Sequence, residues 1–207
     1  MQIVANMNIM NRIKKAILYR IREAKKSVHN YYVLYADSTE LLEKAKKVVR
    51  PLPEGCEFVK LTHENKGKYK CTVSDVDKML HVDGDVWAVV NKDNEVIAFQ
   101  FGTYYGKKSL FFNVKKCDYE HVEIKTDERF RRQGLALNLL YHAVKNLNFE
   151  DVNHKKIGTV VKPSNIPSLR LHELIGFKIT HRVLFWGIRR KKKDGHWAFI
   201  NIPRYSI

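Results

Sequence analysis

Residues 119–147 constrain this chain most, because the apolar period changes there across a basic, glycine-bearing joint. Before the joint, residues 119–126 read as a strand, with Val122 and Ile124 on one face and His121 and Glu123 on the other. After it, Leu137, Leu140, Tyr141, Val144 and Leu147 recur at helical spacing. Between them stands Arg131-Arg132-Gln133-Gly134-Leu135-Ala136. A strand that turns straight into a helix leaves several backbone N–H groups without intrahelical partners, at the positive end of the helix dipole. Gly134 and the small Ala136 let an anion approach those donors closely, so the joint suits a phosphate group. It is not a dinucleotide fingerprint, which needs G-x-G-x-x-G. Nor is it a Walker loop, which ends in G-K-[S/T].

A sheet is expected to carry this joint. Residues 85–90 and 96–101 are strong strand runs separated by Asn91-Lys92-Asp93-Asn94-Glu95, the composition of a hairpin turn. Residues 58–61 are a strand candidate, Ser74-Asp75-Val76-Asp77 looks like the start of a capped helical turn, and 109–114 extend the sheet. To this point the sheet reads as mostly antiparallel. Residues 157–161 then form a buried strand, parallel to 119–126 across a helical crossover. Asn165 or Ser164 can cap the next helix, which holds Leu169, Leu171 and Leu174 and ends at Gly176. Residues 182–188 and 196–202 pair across a charged turn at 189–195.

Ahead of this lies an N-terminal extension. In residues 7–28, Ile9, Ile13, Ile17, Ile21, Ala24 and Val28 line one helical face, and Arg and Lys cover the rest. Such a stripe can dock on the chain's own domain, on a second copy as a homodimer, or weakly on an anionic membrane. A strand at 31–35 follows, then a helix capped by Asp37 or Ser38 and stopped at Pro51, Pro53 and Gly55. The expected division is an extension over 1–52 and a domain over 53–207.

A net charge of +16 and a pI near 9.7 favour anionic partners: nucleic acid, an anionic membrane surface or a phosphorylated small molecule. Nucleic acid is disfavoured. The only aromatic platform near basic charge is Tyr31, Tyr32 and Tyr35, which a core strand explains equally well. Cys56, Cys71 and Cys117 make neither a disulfide framework nor a zinc site and fit a reducing compartment. With no run of transmembrane length and no leader pattern at the start, a cytoplasmic protein is expected, membrane-peripheral if the N-terminal helix meets lipid.

Arg131-x-x-Gly134-x-Ala136, followed by Asn165-x-x-Ser168-x-x-Leu171-His172-x-x-x-Gly176-Phe177, resembles the GNAT superfamily of acyl-CoA N-acyltransferases. The likeness spans roughly residues 57–202 in element order. It implies a mixed α/β (α+β), mostly antiparallel sheet with one splayed parallel strand pair, flanked by helices. It also implies an enzyme that moves an acetyl group from acetyl-CoA to a primary amine, without a metal. By the resemblance, the backbone of Arg131, Arg132, Gln133, Gly134, Leu135, Ala136 and Leu137 would cradle the pyrophosphate. The edge at Ile124, Lys125 and Thr126 would pair with the pantetheine arm. Asn165 and Ser168 would lie near the cofactor. His172 stands where the family has a Tyr acid, and its imidazolium could protonate the leaving thiolate. Glu120, Glu123 and His121 are the candidate bases. Two other readings stay open: a catalytically weak acyl-CoA-binding protein, and a basic nucleic-acid or membrane-surface adaptor. The acceptor is an unidentified amine, and the basic charge favours an anionic one such as a nucleotide-linked amino sugar.

Overall fold

Asn91, Asp93 and Asn94 break an otherwise apolar stretch, and the chain reverses there. The Asn91 carboxamide oxygen accepts from the backbone N–H groups of Asp93 (3.0 Å) and Glu95 (2.9 Å), while Asn94 takes the left-handed conformation that Asn tolerates. This hairpin is the centre of the fold. The computed structural model describes residues 28–81, 84–104, 117–151, 153–191 and 197–206. The expected helix at 7–28, apart from its last residue, and the strand at 109–114 lie outside the described residues, as does most of the charged turn.

The described elements are β1 (Val28–Asp37), α1 (Ser38–Lys46), β2 (Glu57–Leu61), β3 (Lys70–Cys71), α2 (Val76–Leu80), β4 (Asp85–Val90), β5 (Glu95–Tyr104) and β6 (Tyr119–Thr126). They continue as α3 (Leu135–Lys145), β7 (Lys156–Val161), α4 (Ile166–Leu174), β8 (Lys178–Lys191) and β9 (Trp197–Ser206). The chain forms two compact units. Val33–Thr180 make the larger one, and the described parts of 1–32 and 181–207 make the smaller. In the larger unit the strands run in the order β2-β4-β5-β6-β7-β1-β8, to which β1 and β8 contribute the ends that fall within it, and β3 adds a two-residue parallel contact to β5. In the smaller unit β8 and β9 pair antiparallel, from Val183↔Ser206 to Lys191↔Trp197. No described helix is long and apolar enough to cross a membrane.

Two apolar layers sandwich the central hairpin. Val86, Ala88, Phe99 and Phe101 pack with Val76 and Met79 of α2 on one face. On the other, Val89, Ile97 and Ala98 meet Leu135 and Leu139 of α3. Truncating a side chain as buried as Leu139 to Ala typically costs about 2–5 kcal/mol. Helix α1 starts as the sequence suggests, with the Asp37 carboxylate accepting from Thr39 N (2.9 Å) and Glu40 N (3.2 Å). Asp75 departs from expectation. It precedes α2 in a left-handed conformation and makes no side-chain cap.

Strand β6 departs from strict alternation. It pairs with β5 as Phe101↔Glu123 and then Gly102↔His121, which leaves Val122 as the extra residue of a β-bulge. Val122 therefore packs against the Phe99 and Phe101 layer, and Glu123 follows on the same side. His121 turns the other way, to Gln100. Beyond the bulge the strands also part. β6 pairs in parallel with β7 only at Tyr119↔Ile157, Glu120↔Gly158 and His121↔Thr159, although β6 stays on β5 as far as Thr126. The splayed parallel pair is thus a fork whose apex is His121.

Close approach of backbone and ring holds the base of the fork. A Cβ built on Gly102 would stand 2.0 Å from the Tyr119 hydroxyl oxygen and 2.2 Å from its ring. Tyr119 is fully buried and has no room to retreat. Gly102→Ala is expected to lower stability by about 1–3 kcal/mol in urea unfolding. Gly67→Ala, where nothing lies within 4 Å, should stay within about 0.5 kcal/mol of the parent. Equal midpoints for the two variants would show that the Gly102 contact is loose in solution.

Candidate active site

The joint after β6 is built by short-range polar contacts. The Asp127 carboxylate accepts from Arg129 N (3.0 Å) and opens a short 3-10 turn, Glu128–Phe130. The Arg129 guanidinium folds back onto the same carboxylate (3.1 and 2.9 Å), which holds Asp127 far below the usual carboxylate range. Arg132 (φ 66) and Gly134 (φ 80) then both take left-handed backbone conformations, and α3 begins with no side-chain cap. Asn138 N donates to Gly134 O (3.0 Å) as the first bond of the helix, so the amides of Leu135, Ala136 and Leu137 have no carbonyl four residues back within the helix. A Cβ on Gly134 would meet nothing within 4 Å. Leu135 and Leu137 point into the core, whereas the side chains of Arg131, Arg132 and Gln133 are exposed. This is an uncapped helix N-terminus beside open space, the requirement for an anion cradle.

Past the bulge, Ile124, Lys125 and Thr126 are half-buried on the arm of β6 that has left β7. The Lys125 ammonium is bonded to Asp75 and lies 3.1 Å from Glu123. Partial burial works to lower its pKa, but the two carboxylates outweigh that and raise it. Lys125 thereby ties the start of α2 to the fork.

On the far arm, the Asn165 carboxamide oxygen accepts from Ser168 N (3.3 Å) and caps α4. One turn on, His172 is 3% exposed and its Nδ1 lies 2.7 Å from the Ser168 carbonyl oxygen. A carbonyl only accepts, so Nδ1 carries the hydrogen and Nε2 the lone pair. Burial pushes the pKa of His172 down to about 4, against a smaller upward pull from Ser168. The expected imidazolium acid is therefore a neutral ring near pH 7. His172 faces His121 with ring centroids 5.5 Å apart and meets Phe177 edge-on at 4.9 Å. His121 in turn accepts at Nδ1 from the Gln100 amide (3.1 Å), which also donates to the Tyr119 hydroxyl (3.2 Å). Burial, then the neighbouring His172, keep His121 well below the usual histidine value.

His121 and His172 thus meet on one face of the sheet. The carboxylates do not join them. Glu120, buried, lies across the strand from His121, near Cys117 and Tyr35, whose pKa values it helps raise. The Cys117 thiol is pushed up to about 12, mostly by burial. Glu123 lies beyond the bulge with Lys125. Gln100 joins this cluster from β5, and a lone amide within Val96-Ile97-Ala98-Phe99-Gln100-Phe101 is the sequence signal that marks it.

The model of the acetyltransferase (GNAT) family matches residues 52–177. A search of curated proteins finds no match. Among solved structures, a tandem GNAT protein from the clavulanic acid biosynthesis pathway is similar with a TM-score of 0.56 at 10% identity, over 77% of this chain and 53% of that one. A Drosophila protein from a structural genomics programme has a TM-score of 0.50 at 12% identity, over 84% and 55% of the two chains. A conserved protein of unknown function from Staphylococcus epidermidis has a TM-score of 0.50 at 8% identity, over 75% and 59%. At such identities the likeness concerns the fold alone. The chain spans a little over half the length of these matched structures.

The buried rings make stability depend on acidity. An unfolded histidine titrates near 6.5, so between that value and about 4 the unfolded chain binds more protons at His172 than the native one. The contribution is present above pH 6.5 and is lost as pH falls through this window. Urea unfolding should show about 2 kcal/mol less stability at pH 5 than at pH 7 from His172 alone. His172→Phe should flatten the slope. A folded His172→Phe protein with the parent's slope would show that the ring does not titrate in this manner.

Proposed function

Because the chain belongs to the acetyltransferase (GNAT) family, we propose that it transfers an acetyl group from acetyl-CoA to a primary amine by direct attack in a ternary complex. The observation that carries this reading is the placing of an uncapped helix N-terminus at the end of the same strand that opens a fork. The amides from Arg132 to Leu137 would hold the pyrophosphate, with Gly134 leaving room for it. The β6 arm at Ile124, Lys125 and Thr126 has lost its β7 partner, and the pantetheine amides could pair with it as an added strand. Asn165 and Ser168, at the start of α4, would border the cofactor from the other arm. Backbone N–H groups at the fork would stabilise the oxyanion that forms on the thioester. Glu120 and Glu123 both lie across the sheet from His172, so neither is a ready partner for an amine held beside that ring. The net charge of +16 favours an acceptor that carries negative charge, such as a nucleotide-linked amino sugar.

The test is thiol release from acetyl-CoA against a panel of amines, with CoA affinity measured by calorimetry. Gly134→Asp places a carboxylate in the cradle where a side chain meets no neighbour; the positive φ adds strain, which Asp bears better than most residues, so the fold should survive. CoA affinity is expected to fall by ~10² or more, the scale of a like-charge contact in a binding site. Unchanged CoA affinity in the folded variant would remove the phosphate assignment. Tight CoA binding without thiol release for any amine would leave an acyl-CoA-binding protein instead.

A further inference from the structure

On the acyltransferase reading above, we propose that Gln100, His121 and His172 form the seat of the acceptor nitrogen. They receive it as the free amine rather than as ammonium, so the protein favours amines of low basicity over alkylamines.

Two buried lone pairs carry this inference. The His172 Nδ1–H is committed to the Ser168 carbonyl oxygen, and its Nε2 accepts from no partner among the described residues. The Gln100 amide nitrogen is committed to Tyr119 and His121, and its Oε1 likewise accepts from none. Gln100 is fully buried and His172 is 3% exposed. A buried acceptor left unmatched is costly, because it has given up water and gained nothing in return. Both belong to direct neighbours of one ring, His121, and that ring stands at the apex of the fork. Both need a hydrogen-bond donor, and a primary amine brings two N–H groups.

The charge state of the ligand follows from what faces the cluster. Strand β5 contributes Gln100, β6 contributes Tyr119 and His121, α4 contributes Ser168 and His172, and Phe177 closes the edge. None of these carries charge near pH 7. Burial sets both imidazoles neutral, and no carboxylate contributes to the shift of either. A buried ammonium without a counterion is strongly disfavoured, whereas a neutral amine can offer both hydrogens and keep its own lone pair for attack. The transfer balances: the C–N bond forms, the C–S bond breaks, and one proton passes from nitrogen to sulfur. The protein then needs no strong base, because the amine has left its extra proton in solvent.

That requirement sets selectivity. At pH 7 an amine with a lysine-like pKa of about 10.4 is free base in roughly 1 part in 2500, and one near 7.8 in roughly 1 part in 7. At equal intrinsic reactivity, the less basic amine gains a few hundred-fold in kcat/KM.

Initial rates at saturating acetyl-CoA, from pH 6 to 9, test this with alkylamines, amino sugars and arylamines of matched size. Across this window kcat/KM should rise about tenfold per pH unit throughout for alkylamines, level off near the amine's own pKa for amino sugars, and stay flat for arylamines, which are already free base. Gln100→Met and His172→Phe should raise amine KM about 5- to 100-fold, the scale of one lost buried hydrogen bond, with acetyl-CoA affinity unchanged. A break at one pH for every amine would reveal a base on the protein and overturn the proposal. So would a quaternary ammonium analogue that competes as well as its neutral carbon isostere. Failure of the acyltransferase reading looks different: no acetyl-CoA binding, or no thiol release with any amine.

Discussion

Three residue pairs hold β6 to β7, and the site depends on the pairing stopping there. The bulge at Val122 shifts β6 by one residue against β5, and the parallel ladder ends at His121↔Thr159. Buried backbone polar groups need partners, so a strand arm released from its neighbour is an invitation to an extended, amide-bearing ligand. Each arm also leads by a short connection into a helix, β6 into α3 and β7 into α4. Both helix N-termini therefore stand at the end of the sheet where the arms diverge. A chain that zipped these strands fully would keep the same helices and lose the groove.

The opening is held by a rigid base. Below the apex the two strands are packed against glycines on both faces, with the Tyr119 ring over Gly102 and Cys117 and Tyr35 against Gly158. The side chains that reach the fork sit on strands and on α4, fixed by hydrogen bonds to carbonyls and amides. Such positions keep their geometry better than loops do, which suits a site whose polar atoms must wait in a defined direction.

Local chemistry made the joint and its helices readable from the residues alone. Asp37 and Asn165 cap where short polar side chains ought to, Gly176 (φ 98) ends α4, and Gly134 has the positive φ that its place before a helix suggests. The bulge was not readable, because His121-Val122-Glu123-Ile124 alternates as well as any regular strand and only the partner strand shows the slip. The grouping of Gln100 with two histidines is likewise tertiary, made by residues far apart in the chain. Residues 74–77 read as a capped turn, yet the Asp75 carboxylate answers to Lys125 on the neighbouring strand face. β3, two residues long, is too short to leave a periodic trace.

Cys117 sits just before β6, at the foot of the fork, and burial pushes its thiol up to about 12. Since the thiolate is the nucleophile, a thiol pushed up in this way is held in its unreactive form. The packing that keeps the strands together thus also works against acyl capture by this cysteine.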